Sequence, residues 1–213
     1  MDLTTSSSCK WRRRKESRPA EIIEAALDLF VVKGFSATRL DEVAKLAGVS
    51  KGTVYLYFDS KEDLFCSVVQ QIIVPEIEKA ERKAADFRGS QRALLTMLIQ
   101  SWWNVIGKTK LAGIPKLIIS EAANFPELAE FYLQKVVCRS RDIIRKGIIA
   151  GVEAGEFKPI DPIITTRLLI APVLFAVIWD KSLAPFDHEK YDLDMYLDHH
   201  IDVFFSGICV KND

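Results

Sequence analysis

The side chains of residues 50–61 have the chemistry to contact a polyanion. Within this stretch, Lys51, Thr53, Tyr55 and Tyr57 each carry an ammonium or hydroxyl tip. Val54 and Phe58 lie four residues apart and can face a core, which leaves the polar tips pointing outward. Phosphates and base edges accept hydrogen bonds from such groups. The spacing indicates nucleic-acid contact. The chain shows no Ser/His/Asp set, paired carboxylates or phosphate loop, so we expect neither an enzyme nor a cofactor.

Two helices joined by a tight turn would hold these side chains in place. Thr38 can cap a helix that carries Asp41 in its first turn and an apolar stripe of Leu40, Val43, Ala44 and Ala47. Gly48 can end that helix in the left-handed conformation, and Ser50 can cap the next one. Lys61 opens a further helix, where its ammonium and free backbone N–H groups could hold a phosphate. The pattern predicts a helix-turn-helix that places its second helix in the major groove of DNA.

The segment from about Pro19 to Phe65 resembles the N-terminal domain of the TetR/AcrR family of transcriptional regulators. The similarity is carried by AEIIEAALDLFVVKGF, by T-x-L-x-E-V-A-x-x-A-G-V-S-K-G-T-V-Y-L-Y-F and by SKEDLF. The resemblance implies a homodimer in which each subunit joins a DNA-reading domain to a larger helical domain for a small effector. The family's DNA-facing positions would be Thr38, Ser50, Lys51, Thr53, Tyr55, Tyr57 and Lys61. To these we add Arg39, and Gly52, where no side chain keeps the backbone from DNA.

A block of positive charge precedes this segment. Residues 10–18 contain six lysines and arginines and one glutamate, whereas the whole chain has a formal net charge of zero. We expect residues 1–18 to form a flexible basic arm. The arm could follow the phosphate backbone or enter a minor groove, and a solubilising tail is the alternative.

The cysteines and histidines give no sign of a metal site. Cys9, Cys66, Cys138 and Cys209 are far apart and lack metal-ligand spacing, which favours reduced thiols in a cytoplasm. A redox role for Cys9 or Cys138 remains open. We expect His199 and His200 to lie on a helix surface or subunit interface and not to bind metal.

The longest apolar run, residues 163–179, raises the question of a membrane span. Arg167 interrupts the run, Pro172 bends it, and it is shorter than the roughly 20 residues that a bilayer requires. We expect a helix buried in protein and no membrane partner. The resemblance implies that it pairs with the last helix, residues 191–205, and with both copies in a second subunit.

Glycines and prolines divide the rest of the sequence into segments with helical spacing and no alternating strand pattern. They predict an all-α chain of about nine helices. We divide it into the arm (1–18), a three-helix DNA-binding domain (19–65) and an effector-binding and dimerisation domain (66–213). Pro75 lies inside the helix that begins at Lys61, where it removes one backbone hydrogen bond. A hinge and a static bend are both compatible with it.

Aromatic side chains dominate the expected effector pocket. The candidates are Trp102, Trp103, Glu121, Phe125, Phe131, Phe175 and Trp179. Glu121 could meet a cationic ligand or pair with an arginine. The sequence thus predicts a cytoplasmic, homodimeric repressor that a small hydrophobic effector releases from a pseudo-palindromic operator. The alternative is a constitutive DNA-binding or protein-interaction module with a filled core.

Overall fold

The computed structural model describes residues 5–210, with side chains from residue 18 onward. Nine helices follow one another in this part of the chain, with no strand between them, which confirms the all-α class. Their bounds are α1, Thr5–Lys33; α2, Leu40–Leu46; α3, Lys51–Tyr57; α4, Lys61–Val68 with Val69–Ile73 and Val74–Asp86; α5, Gln91–Trp102 with Trp103–Gly107; α6, Gly113–Glu121; α7, Pro126–Tyr132 with Leu133–Cys138 and Arg139–Glu153; α8, Pro162–Asp180; and α9, Leu193–Ile208.

Three of these helices contain a π-helical segment. The segments are Val69–Ile73 in α4, Trp103–Gly107 in α5 and Leu133–Cys138 in α7. The segment in α4 ends two residues before Pro75, which cannot donate to the backbone ladder. The interruption predicted at this proline therefore takes the form of a widened turn.

The chain divides into two compact units, with the boundary between Ile72 and Ile73. The division predicted at residue 65 falls too early, because Val68 and Val69 are still completely buried within the first unit. The helix α1 also begins at Thr5 and not near residue 19. The basic residues of 10–18 thus lie on a helix and not on a flexible arm, in keeping with the high helix propensity of arginine, lysine and glutamate. The remainder of the predicted arm, residues 1–4, lies outside the described residues.

The first unit is built around three phenylalanines. The rings of Phe30, Phe35 and Phe65 pack pairwise with centroids 5.4 to 5.8 Å apart, and all three are fully buried. Val43 from α2 and Val54 from α3 are buried as well. Burial of these apolar side chains holds α2 and α3 against α1 and α4 and so fixes which face of α3 points outward.

The second unit has its own core, in which α5, α7, α8 and α9 meet. Its fully buried members include Leu95, Ile148, Phe157 and Phe205. Asp194 on α9 accepts hydrogen bonds from the Trp103 indole at 2.8 Å and from the Lys108 ammonium at 2.7 Å. These two bonds hold the pKa of the Asp194 carboxyl below its ordinary value, with the bond from Lys108 contributing most.

The apolar helix α8 is long and apolar enough to span a membrane, but only one of its faces lies in the core. Leu169, Val173 and Val177 are buried, while Ile164, Leu168 and Phe175 are more than half exposed. The expectation of a buried helix therefore holds for one side only. The helix is apolar all round, and the described part of the chain leaves its second side exposed.

Candidate DNA-binding surface and effector cavity

The two ends of the turn between α2 and α3 are stabilised as the sequence predicts. Gly48 has a φ of +65°, the left-handed conformation in which a Cβ would be strained. The Ser50 hydroxyl caps α3 by accepting a hydrogen bond from the Thr53 N–H at 3.1 Å. Val54 and Phe58 are buried, so α3 turns its other side outward. These contacts confirm the predicted helix-turn-helix.

The outward side of α3 carries Lys51, Gly52 and Tyr55, all exposed, flanked by the half-buried Thr53 and Tyr57. The Lys51 ammonium lies 2.7 Å from an Asp41 carboxylate oxygen and 5.9 Å from the centre of the Tyr55 ring. The hydrogen bond to Lys51 holds the pKa of the Asp41 carboxyl below its ordinary value. Lys51 is thus held over α3 in its charged form. It can exchange this exposed partner for a DNA phosphate or a guanine edge.

Of the two predicted DNA contacts at the start of α2, Thr38 has a different role and Arg39 keeps its own. Thr38 is only 2% exposed, and its hydroxyl donates to the Gly34 carbonyl at 2.7 Å. It neither caps α2 nor presents its side chain to DNA, which corrects both expectations. Arg39 occupies the N-cap position, where its N–H donates to the Glu42 carboxylate at 3.4 Å. The Arg39 side chain is largely exposed and stays a candidate for a phosphate contact.

Lys61 also differs from its predicted role as a phosphate ligand. Its ammonium donates to three backbone carbonyls, those of Phe35 at 2.8 Å, Ser36 at 3.2 Å and Thr38 at 3.2 Å. It also lies 4.5 Å from the centre of the Phe35 ring. An ammonium has three N–H groups, so this network uses all of them. Lys61 therefore ties the loop between α1 and α2 to α4, and we remove it from the expected DNA contacts.

We expect Lys61→Met to destabilise the first unit by about 2 to 3 kcal/mol, because the aliphatic stem remains but the hydrogen bonds from a charged donor are lost. Urea unfolding followed by far-ultraviolet circular dichroism measures the effect. Lys45→Met, which changes an exposed lysine on α2, is the matched control and should stay within about 0.5 kcal/mol of the original protein. Equal stability of the two variants would contradict the structural role of Lys61.

The second unit contains a cavity of about 180 Å³ between α4, α5, α7 and α8. Its wall is mainly aliphatic, with residues such as Ile77, Ile99, Val105, Ile144 and Val173. All three π-helical segments contribute to the wall, through Ile73, through Val105 and Ile106, and through Val136. The volume is more than ten times what one water needs, and an apolar wall of this kind favours an apolar occupant over water.

Polar groups occur at a few places on this wall. Glu76, Lys79 and Lys83 lie on successive turns of α4, and both lysines are solvent-exposed. Glu76 and Lys79 form an ion pair at 2.6 Å, so their charges cancel. With Lys83, the three side chains carry a net charge of one positive unit. The Tyr132 side chain, by contrast, is buried. The cavity thus combines an apolar interior with a positively charged edge.

Of the seven predicted effector residues, all of which the structure describes, Trp102 alone lines this cavity. Trp103 belongs to the core, and Phe175 is 59% exposed on α8. The indole of Trp179 donates to Asp187 at 3.2 Å, away from the cavity. The other three also lie outside the cavity wall: Glu121 at the end of α6, Phe125 directly before α7, and Phe131 on α7. Glu121 accepts a hydrogen bond from Asn124 at 3.3 Å. The aromatic pocket is therefore corrected to a largely aliphatic one.

The wall of the cavity could not be recognised from residue type alone. Large aromatic side chains were expected to line the pocket, but in this unit they occur both in the core and on the surface of α8. A usable signal was present in α4, where Ile73, Ile77 and Ala80 recur at helical spacing beside Lys79 and Lys83. Tyr132 follows the predicted Phe131 by one position, a shift of about 100° around the helix.

Metal and thiol chemistry have little support in the described part of the chain. No group of three or more histidine, cysteine, aspartate or glutamate side chains there could hold a metal ion. Cys66, Cys138 and Cys209 are free thiols, and burial raises the pKa of the Cys66 thiol. The side chain of Cys9 lies outside the described residues.

The outward α3, its capped start and the glycine turn before it define a helix-turn-helix DNA-binding protein. Residues 22–68 match the bacterial regulatory proteins of the tetR family. This segment carries the DNA-binding domain of that family, and the relatives that match over most of the chain include HTH-type transcriptional regulators.

Three relatives show how far the likeness extends. The fatty acid metabolism regulator protein of Bacillus subtilis is 26% identical over 207 residues, which are 92% of this chain and 100% of that protein. The structure of the regulator FadR from Bacillus subtilis in complex with stearoyl-CoA has a TM-score of 0.69 at 22% identity and covers 89% of this chain and 98% of its own. A transcriptional regulator from Saccharomonospora viridis in complex with choline has a TM-score of 0.78 at 18% identity, with coverages of 92% and 100%. At these identities the two solved structures show the fold alone.

Proposed function

We propose that this protein is a homodimeric, cytoplasmic repressor that leaves its operator when a long-chain acyl thioester such as an acyl-CoA occupies the cavity of the second unit. The observation that carries the proposal is the cavity itself, which is aliphatic inside and has two lysines and one glutamate at its edge. A fatty acid metabolism regulator among the full-length relatives, and a fold shared with a stearoyl-CoA complex, favour this class of effector.

The proposed DNA contacts come from the start of α2 and the outward side of α3. They comprise Arg39, Ser50, Lys51, Gly52, Thr53, Tyr55 and Tyr57, six of which lie within residues 50–57. The Ser50 and Thr53 hydroxyls lie 2.8 Å apart and hold each other in place. A reading helix this short contacts few base pairs, so one copy has little sequence discrimination. Two copies related by a two-fold axis would read a pseudo-palindrome with half-sites about one helical turn apart.

The proposed dimer interface is formed by the uncovered sides of α8 and α9. Exposed apolar residues on these helices include Ile164, Leu168 and Phe175 on α8 and Met195 and Val203 on α9. The two helices pack against each other within one chain. A second copy placed against the same surface would form a four-helix bundle and bury these side chains. Large exposed apolar patches usually mark such an interaction site.

The chemistry of the cavity favours an acyl chain over choline. A quaternary ammonium is usually recognised by a cage of aromatic faces, and the aromatic residues on this wall are limited to Trp102 and Tyr132. A positively charged edge would repel such a cation and attract the phosphates of a coenzyme A head group. An aliphatic interior accepts a polymethylene chain with no cost of polar desolvation.

Selection of bound sequences from a random DNA pool tests the DNA-binding part of the proposal. The purified protein should enrich a pseudo-palindromic sequence at near-physiological salt, and its complex with that sequence should contain two protein chains. Enrichment of a sequence without two-fold symmetry, or binding by a single chain, would contradict the dimeric repressor.

Release from the selected sequence tests the effector. We expect stearoyl-CoA to lower DNA affinity, and acyl-CoA affinity to rise about three- to fourfold with each added methylene until the cavity is filled, because each buried methylene contributes about 0.8 kcal/mol. Fluorescence anisotropy of labelled DNA and direct titration measure the two effects. Free coenzyme A is the control. Release by coenzyme A alone, or the same affinity for all chain lengths, would exclude a chain-binding cavity.

A further inference from the structure

Tyr132 stands out from the other side chains that line the cavity. It is 9% exposed, and the π-helical segment of α7 begins directly after it. Its hydroxyl makes no hydrogen bond within the described part of the chain. Every fully enclosed side-chain nitrogen or oxygen there does have a partner. The Tyr132 hydroxyl is therefore not sealed in the core, and the Tyr132 side chain lines the cavity.

A buried tyrosine hydroxyl normally has a hydrogen-bond partner, because leaving it without one in apolar surroundings costs free energy. The wall that Tyr132 shares is mainly aliphatic, and Ile106, Leu111, Ile114 and Val136 on it offer no polar side-chain atom. An occupant of the cavity is the group that can supply the partner. Burial also raises the pKa of the Tyr132 phenol, so it stays protonated at neutral pH and can donate.

The charged and neutral groups of the cavity lie on different helices. Lys79 and Lys83 are on α4, whereas Tyr132 is on α7. An anionic head group fits the exposed lysines, and a neutral hydrogen-bond acceptor fits the protonated phenol inside. An acyl thioester carries both groups, since its carbonyl oxygen is a neutral acceptor between the head and the chain.

We infer that the Tyr132 hydroxyl donates a hydrogen bond to the effector's acyl carbonyl, so that the cavity distinguishes an acyl chain from an alkyl chain of the same length. This inference rests on the proposed function, because it specifies a contact within the same cavity. Tyr132 is then a specificity-determining residue, whereas the aliphatic wall supplies most of the affinity.

A matched pair of ligands tests the contact. Stearoyl-CoA has the carbonyl, and its S-octadecyl thioether analogue replaces the carbonyl with a methylene. We expect the original protein to bind the thioester about five- to tenfold more tightly, as one hydrogen bond of this kind predicts. Tyr132→Phe should bind both ligands equally, at about the affinity of the original protein for the thioether. Quenching of tryptophan fluorescence reports binding, because Trp102 lines the cavity.

Tyr191→Phe serves as the control, since it removes a tyrosine hydroxyl from the same unit at an exposed position outside the cavity. It should keep the preference for the thioester. Urea unfolding shows whether Tyr132→Phe is folded, and Tyr132→Leu provides a second variant without the hydroxyl. Equal binding of the two ligands by the original protein overturns the inference and leaves the proposed function standing. Binding of neither ligand overturns both.

Discussion

Gly52→Leu should weaken operator binding by about 100-fold or more, because a bulky side chain would stand on the surface of α3 that enters the groove and would displace several contacts together. A Cβ at Gly52 would meet nothing nearer than the Ser50 hydroxyl, at 3.8 Å. The free protein thus has room for a side chain here. The position demands glycine only if another molecule approaches closely.

Stability and affinity should therefore separate at this position. In the free protein, replacing a helical glycine stabilises the fold by up to about 1 kcal/mol, since the unfolded chain loses conformational freedom. Gly52→Ala should show the same separation with a smaller loss of affinity. Anisotropy titrations with the selected operator and urea unfolding of both variants provide the two measurements. Operator binding by Gly52→Leu at the original affinity would place the DNA surface elsewhere.

Gly151→Ala should destabilise the second unit by about 1 to 3 kcal/mol, the usual cost of forcing extra atoms into a packed core. Gly151 is buried on α7, and a Cβ there would lie 2.2 Å from two carbons of the Phe157 ring. Phe157 is 2% exposed and packs against Phe205 of α9, so its ring cannot move without disturbing that contact. The position therefore needs a glycine for close packing.

Gly207→Ala is the matched control. Gly207 lies in α9, and a Cβ there would have no neighbour within 4 Å. The change should stabilise the protein by about 0.5 to 1 kcal/mol, so the two alanines should shift stability in opposite directions. Urea unfolding followed by tryptophan fluorescence measures both, because Trp102, Trp103 and Trp179 lie in the second unit. A Gly151→Ala protein as stable as the original would show that Phe157 can move at no cost.

The helix-turn-helix was predictable because its determinants are local. The Ser50 cap and the Gly48 turn depend on residues within a few positions of each other. Lys61 was assigned the wrong role because its partners, the carbonyls of residues 35–38, are more than twenty positions away. Sequence spacing predicts where such a lysine begins a helix but not which distant loop its ammonium reaches.

The cavity was less predictable for a geometric reason. In α8 apolar residues occur on every side, so the sequence pattern does not show which face of the helix is buried. Phe175 could therefore not be assigned to the surface or the interior. On α7 the π-helical segment shifts the register of the residues that follow, which a regular helical period does not anticipate. The all-α class was predicted from the sequence, but the start of α1 and the orientation of the side chains needed the structure.

The three π-helical segments have a consequence for comparing related chains. A π turn holds one residue more than the α turn it replaces, so removing one residue from Val69–Ile73, Trp103–Gly107 or Leu133–Cys138 can restore regular α-helix without rotating the flanking turns. Relatives of this protein can therefore differ in length by a single residue at these three places and keep the same helix faces inward. Single-residue gaps in alignments of related chains are expected to cluster there, in the middle of helices, as well as in loops.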